Sequence, residues 1–362
     1  MTRTATGRLL IRLRRSLLLT TIALIVTSFA VWRGVANTAE TVHDRTAPAI
    51  LAVSSAKTAL IKADKAAVSS FRRGEVVLAG PGDDYQSQTA LASQNLARAA
   101  ELNQGGEVAS RHLQVVEALL SEYLGAVEQA DAHYRQPGGT VVGVADLWNA
   151  SRLLHSGLDG VLVRLDDLIL AQQGALDEQL SSGWTGPLVP ALWMAPATLL
   201  LGPLVWTQWT LAKRFRRRLN PQLIAATVLL AGVVTGLAWT FPVQHDLSVA
   251  RAALNQVVNG RDSRAQYENM LSQQEIQAML NASCGQSGGC GPTAASLETS
   301  RPPASVAGDA EIDAGIGQTD ESTVAATAAW WLQIVIPLAG VAIGALVLWG
   351  LQARIDEYRY RA

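Results

Sequence analysis

The chain is poor in the residues and patterns from which most catalytic sites are built. Its 362 residues include two cysteines and five histidines, and aromatics make up 6%. His43, His112, His133, His155 and His245 are scattered over separate segments, so any pair meets only by folding. No Walker loop, dinucleotide fingerprint, zincin helix, nucleophile elbow or kinase signature set occurs. The two cysteines have no histidine nearby, and two soft ligands do not complete a zinc tetrahedron. The expectation is therefore a protein that is not an enzyme, with no cofactor, no metal and no nucleic-acid partner.

Charge is also missing, but only locally. Four stretches, 17–32, 188–209, 223–241 and 329–351, contain no ionisable residue. Each is close to the ~20 residues with which a helix crosses ~30 Å of hydrocarbon. Nine of the ten tryptophans, all but Trp148, lie within or beside them, as expected of rings that settle at headgroup level. The lack of intramembrane charge argues against a proton- or ion-coupled transporter. The pattern predicts an all-α integral membrane protein with four transmembrane helices. For the first stretch a cleavable signal peptide is the alternative, but no small-x-small cleavage site follows it.

Basic residues set the expected orientation, because Lys and Arg near span ends stay on the cytoplasmic side. The N-terminus (1–16) carries Arg3, Arg8, Arg12, Arg14 and Arg15, and the loop 210–222 carries Lys213, Arg214, Arg216, Arg217 and Arg218, neither with an acid. With the C-terminus 352–362, the cytoplasmic pieces hold 13 of the 29 basic residues and 2 of the 30 acidic ones. The formal net charge of −1 thus conceals a strong polarity, and segments 33–187 and 242–328 are predicted outside. The basic loop invites a cytoplasmic protein contact, although the positive-inside signal and attraction to anionic membrane lipids explain it equally well.

Segment 33–187 has the three-and-four apolar spacing of bundled helices. Leu113, Val116, Leu120, Tyr123, Val127, Ala130 and Tyr134 form one heptad seam, and Leu147, Leu154, Leu158, Val161, Leu165 and Leu168 form another. Ile50, Val53, Leu60, Ala67 and Phe71 form a third, interrupted by Lys57 and Asp64, and a shorter helix is expected over about 87–102. Breaks at Gly80-Pro81-Gly82-Asp83, Gly105-Gly106 and Pro137-Gly138-Gly139 divide the segment into a four-helix bundle. A first helix from Leu17 to about Arg73 would be roughly 85 Å long at ~1.5 Å per residue. Asp166 with Asp167 reads as a solvated helix face.

Segment 242–328 is the second, smaller helical region. Two helices interrupted near Gly260 are expected to about residue 282, followed by a mobile loop over about 283–317, rich in Gly, Ser, Ala, Thr and Pro. Cys284 and Cys290 enclose five residues there. A local disulfide suits an oxidising compartment and short spacing, and two free thiols acting as a redox switch are the alternative. Gly232 with Gly236, and Gly340 with Gly344, form two GxxxG motifs in the third and fourth spans, which favour close packing of those spans and also permit a homodimer. Pro190, Pro196 and Pro203 favour kinks in the second span.

Thr46-Ala47-Pro48 after the first span, the run 59–75 (ALIKADKAAVSSFRRGE), 123–136 (YLGAVEQADAHYRQ) and 143–157 (GVADLWNASRLLHSG) resemble the actinobacterial GlnX-like four-span membrane sensors. Those proteins carry tandem extracytoplasmic helical domains of chemoreceptor-like form. The likeness covers the first outer region and the span layout, and 25 arginines against 4 lysines fit a GC-rich genome. It implies a relay in which an extracytoplasmic solute-binding lipoprotein, for aspartate, glutamate or glutamine, docks outside and a cytoplasmic serine/threonine kinase receives the signal. The second outer region here is shorter than the unit the family leads one to expect. About forty cytoplasmic residues are too few for an output domain, so any signal passes to another protein. The rival expectations are a permease-like mechanotransmission subunit of an ABC system, which needs more inner loop for coupling helices, and a structural envelope anchor.

Overall fold

The structure, a computed structural model, describes residues 5–76, 80–181, 195, 198–202, 204–206, 221–238, 241–285, 306–327 and 332–359. Among them every regular element is helical: α1 (Ala5–Thr41), a π-helical turn (Val42–Thr46), α2 (Ala47–Arg73), α3 (Asp83–Glu101), α4 (Gly106–Tyr134), α5 (Thr140–His155), α6 (Val161–Ser181), α7 (Pro221–Ala238), α8 (Phe241–Gly285), α9 (Asp309–Thr327) and α10 (Leu332–Arg359). The chain divides into two compact units. One comprises 1–40, 179–249 and 322–362, and the other 41–178 and 250–321.

The first unit has an apolar core. Leu17 and Leu24, Leu200 and Leu204, Ala226 and Leu230, and Ile343 and Val347 form one buried cluster, each pair coming from a different one of the four predicted spans. The seven- and four-residue spacings put each pair on one helix face. Opposite faces remain apolar: Leu19, Ile22, Val26, Val228, Leu338 and Val341 are all exposed. A helix that is apolar on both faces is suited to lipid rather than water. One helix among the described residues, Arg15–Arg73, is long and apolar enough to cross a membrane, and Ile334–Trp349 is a shorter apolar helix. The long helix is consistent with a membrane protein.

The second unit is a water-type bundle with a core of Ala, Val, Leu and Ile. The predicted seam of α4 is buried from Leu113 to Ala130, while Tyr134 is half-buried, packs edge-on against Phe71 at 5.1 Å and donates to its carbonyl at 3.2 Å. Helix α2 ends where Gly74, at φ 71°, turns its N–H back to the Phe71 carbonyl at 3.1 Å. A side chain there would be strained. At its other end, Pro48 has no N–H to offer the Asp44 carbonyl, which accounts for the wider π turn just before it.

Four expectations change. The predicted fourth helix is two helices, because Ser156 is extended (ψ 126°) and Gly160 sits so close to the Ser156 carbonyl that a Cβ would lie 2.5 Å from it. Leu158, placed in the seam by its spacing, is 84% exposed in the connecting turn. The break expected near Gly260 is absent: α8 runs through it, and the missing side chain admits Ala307 and Ile312, which a Cβ would meet at 3.2 and 3.4 Å. Residues 309–317, expected as loop, form the start of α9. The rest of that loop, from 286 to 305, lies outside the described residues.

The two segments read as separate outer regions are one unit. Arg261 reaches from α8 to the Leu51 carbonyl at 3.3 Å and the Ser55 hydroxyl at 3.0 Å of α2. Lys65 faces Glu268 at 3.8 Å and Arg72 faces Glu275 at 3.6 Å. Rising numbers pair with rising numbers, so α2 and α8 run parallel. On α6 the order reverses, Gln173 meeting Asn255 at 3.3 Å and Asp177 meeting Arg251 at 2.7 Å.

Candidate functional site

Helix α2 spaces Ile50, Lys57, Asp64 and Phe71 one heptad apart, so all four point the same way. Two apolar residues thus bracket two charged ones on a buried stripe, and each charge has a built environment.

Lys57 is 8% exposed and lies between two carboxylates from two other helices. Its Nζ donates to Asp166 Oδ1 on α6 at 2.6 Å and to Asp262 Oδ1 on α8 at 2.5 Å. Asp262 Oδ2 accepts a second bond from Gln266 at 2.7 Å. Burial alone would lower the Lys57 ammonium, but the two facing carboxylates carry it above its ordinary range, so it stays charged. The Asp166 carboxyl is pushed up by burial and, against the pull of Lys57, by Asp262 and Asp167. Asp167 itself pairs with Arg164 at 3.4 Å. The acidic pair read from sequence as a solvated face is therefore divided, one carboxylate turned to a buried lysine and one to a half-buried arginine. Beside Lys57 is a cavity of about 220 Å³, lined among others by the carboxylates of Asp166 and Asp262 and by the aliphatic Ile169, Leu170 and Val258.

One turn pair further along, Asp64 is 1% exposed. Tyr123 on α4 donates to its Oδ1 at 3.4 Å, and Ser151 on α5 and Ser272 on α8 each donate to its Oδ2 at 3.2 Å. Gln273 donates to the Ser151 hydroxyl at 3.2 Å, and His155 Nδ1 donates to the Ser151 carbonyl at 2.8 Å. Burial pushes the Asp64 carboxyl up, with His155 and the three hydroxyls acting in the opposite direction. Burial, and then Asp64, push the Tyr123 phenol well up. The Tyr85 phenol is pushed up by burial, Glu128 and Asp64. His155 Nε2 and the Tyr85 hydroxyl are buried without a hydrogen-bond partner among the described residues. Four helices thus meet on one carboxyl group.

The residues singled out from sequence lie elsewhere. Cys284 is in the last turn of α8, and Cys290 lies outside the described residues, as do Lys213, Arg214, Arg216, Arg217 and Arg218. Gly340 on α10 faces α1, where a Cβ would fall 2.2 Å from Ile25; Gly232 and Gly344 face open space, and Gly236 lies in α7. Among the described residues no cluster of three or more His, Cys, Asp or Glu suits a metal ion. Sequence reading noticed Lys57 and Asp64 only as interruptions of a seam. A charged residue at a heptad core position is itself a signal of a buried partner, but nothing local names Asp166, Asp262 or Ser272 as that partner.

No curated protein and no solved structure matches the chain. Residues 38–181, which span α2 to α6 and hold Lys57, Asp64, Tyr123, Ser151 and Asp166, match the family model of the actinobacterial sensor domain, and this match supports an actinobacterial sensor protein.

Proposed function

We propose that the chain is a non-enzymatic transmembrane relay: its bundle unit lies outside the cell, its termini and basic loop lie inside, and it passes the state of an extracytoplasmic amino-acid-binding lipoprotein to a cytoplasmic serine/threonine kinase. The observation that carries the reading is the parallel pairing of α2 and α8 through Lys57–Asp262 and Asp64–Ser272, inside a unit that includes the sensor-domain match. The chain is helical without a break over 5–73 and over 241–285, so a change in how α2 packs on α8 alters two long helices at once. Packed cores switch between discrete arrangements rather than deforming smoothly, which suits a two-state signal. The positive-inside bias of Arg3 to Arg15 and Lys213 to Arg218 supports the orientation.

The partners are those that the family resemblance implies. Alkaline phosphatase fused after Gly157 should be active in whole cells, and fused after Arg218 inactive; the reverse pattern would overturn the orientation. Crosslinked affinity capture of the full-length protein should retain a solute-binding lipoprotein together with a soluble kinase. Retention of an ATPase with neither of these would replace the relay by a mechanotransmission subunit, and retention of wall components alone by an envelope anchor.

A further inference from the structure

We propose that the cavity beside Lys57 is a binding site for a small aliphatic ammonium ion, received by Asp166 and Asp262. The charge count points to the sign of the ligand. One ammonium, Lys57 Nζ, serves two carboxylates, each through a single Oδ1, which leaves the site with one formal negative charge. Asp262 Oδ2 is occupied by Gln266, whereas Asp166, bonded to Lys57 through Oδ1, has a side chain that is 49% exposed. Burial is the main cause of the upward displacement of Asp166, with Asp262 and Asp167 adding to it against the pull of Lys57.

Partly buried charge is stabilised when it is matched, and a monocation is the ligand that brings this site to neutrality. An anion would add to the surplus. A zwitterion would leave the net charge unchanged and set a third carboxylate beside the two present. A divalent metal needs more ligands than two carboxylates, and among the described residues no third Asp, Glu, His or Cys joins them.

The shape points to the body of the ligand. Ile169, Leu170 and Val258 form an apolar wall beside the carboxylates, one helical turn from Asp166 and Asp262, and about 220 Å³ exceeds the ~150 Å³ cavity that takes benzene. A short alkyl chain lies against that wall with its ammonium at Asp166. Bound there, the ligand competes with Lys57 for the carboxylates of α6 and α8 and so acts on the contact between α2 and α8. The bundle unit is then a receptor in its own right, and the site stands whether or not the relay partners are those proposed above.

The test is isothermal titration of the purified full-length protein in lipid nanodiscs with n-butylammonium, against butyrate and 1-butanol as charge and polarity controls, with empty nanodiscs subtracted. Saturable binding of butylammonium is expected, with none of butyrate. Asp166→Asn removes the receiving charge, and Leu170→Trp fills the cavity from a position that is 64% exposed and so tolerates the larger ring. Each variant is expected to bind at least about tenfold more weakly. The second variant keeps the proposal testable where the first unfolds. Absence of saturable butylammonium binding, equal binding of butyrate or butanol, or undiminished binding in folded Leu170→Trp would overturn it.

Discussion

Ser272 of α8 donates a hydrogen bond to Asp64 of α2 at 3.2 Å, across 208 residues of sequence. Ser151 and Tyr123 donate to the same carboxyl, so α2, α4, α5 and α8 are fastened at one buried atom pair. Three hydroxyl donors satisfy a carboxylate well, yet burial works against its charge, and the balance depends on pH.

Because burial raises the Asp64 carboxyl above its ordinary value, despite His155 and the three hydroxyls, the native state holds the proton more tightly than the unfolded chain does. That contribution to stability is fully present below the ordinary carboxylate range and is lost as pH rises through the raised value. Asp64→Asn mimics the protonated group and cannot titrate. Thermal unfolding followed by circular dichroism from about pH 4 to about pH 8 is expected to show the wild type losing stability relative to Asp64→Asn as pH rises. The opposite trend would mean that the carboxylate is the favoured form.

Lys57→Met leaves Asp166 and Asp262 facing each other without a cation. Breaking a buried ion pair costs about 3–5 kcal/mol. Asp166 is half exposed and Asp262 a third exposed, so solvent screening reduces the expected loss to about 1–2 kcal/mol. Adding Asp262→Asn to Lys57→Met should recover part of it. A double-mutant cycle by chemical denaturation measures the coupling, and simple additivity would show that the bridge contributes nothing.

Two glycines on α9 form a matched pair. A Cβ at Gly315 would stand 2.6 Å from Val257 Cγ2, whereas Gly317 has nothing within 4 Å. Valine has little freedom at χ1 with which to yield. Gly315→Ala should destabilise the bundle unit by about 1–3 kcal/mol, and Gly317→Ala should stabilise it by up to about 1 kcal/mol. Unfolding midpoints of the two variants, compared with wild type, check both signs.

A second matched pair lies in α10. Gly340→Leu drives a side chain into Ile25, while Gly344→Leu enters open space. Overpacking is expected to cost Gly340→Leu about 1–3 kcal/mol and leave Gly344→Leu near wild type. Retention of a single elution peak after graded heating in detergent distinguishes them. Equal loss in both would point to an interface that engages Gly344, as between two copies of the chain.

Much of this architecture is legible in the sequence. The α4 seam is read correctly from Leu113 to Ala130 because each position is apolar and nothing interrupts the heptad. Four uncharged stretches each supply a pair to one cluster, although the glycines are the packing residues that the sequence offers. Helix α3 starts at Asp83 rather than near Ser87, and Asp83 and Asp84 favour its first turn through the helix dipole. Ser156 to Gly160 escaped because the apolar spacing carries on across a turn, leaving Leu158 in phase yet exposed. Gly260 misled for the converse reason: a glycine marks a break or a close approach, and only the presence of Ile312 decides which. The site was half visible, since Lys57 and Asp64 stand out from their seam. Their partners are ordinary surface-type residues on helices whose neighbours no local pattern specifies.

The Lys57–Asp262 bridge spans 205 residues of chain. At the ~5–20 residues per second of bacterial-type synthesis, roughly ten to forty seconds separate the appearance of the lysine from that of its aspartate. During that interval α2 presents a charged stripe with no α8 to cover it. Helices α2 to α6 can associate first, through Lys57 with Asp166 and Asp64 with Tyr123 and Ser151, and the bundle unit is complete only when α8 adds Asp262 and Ser272.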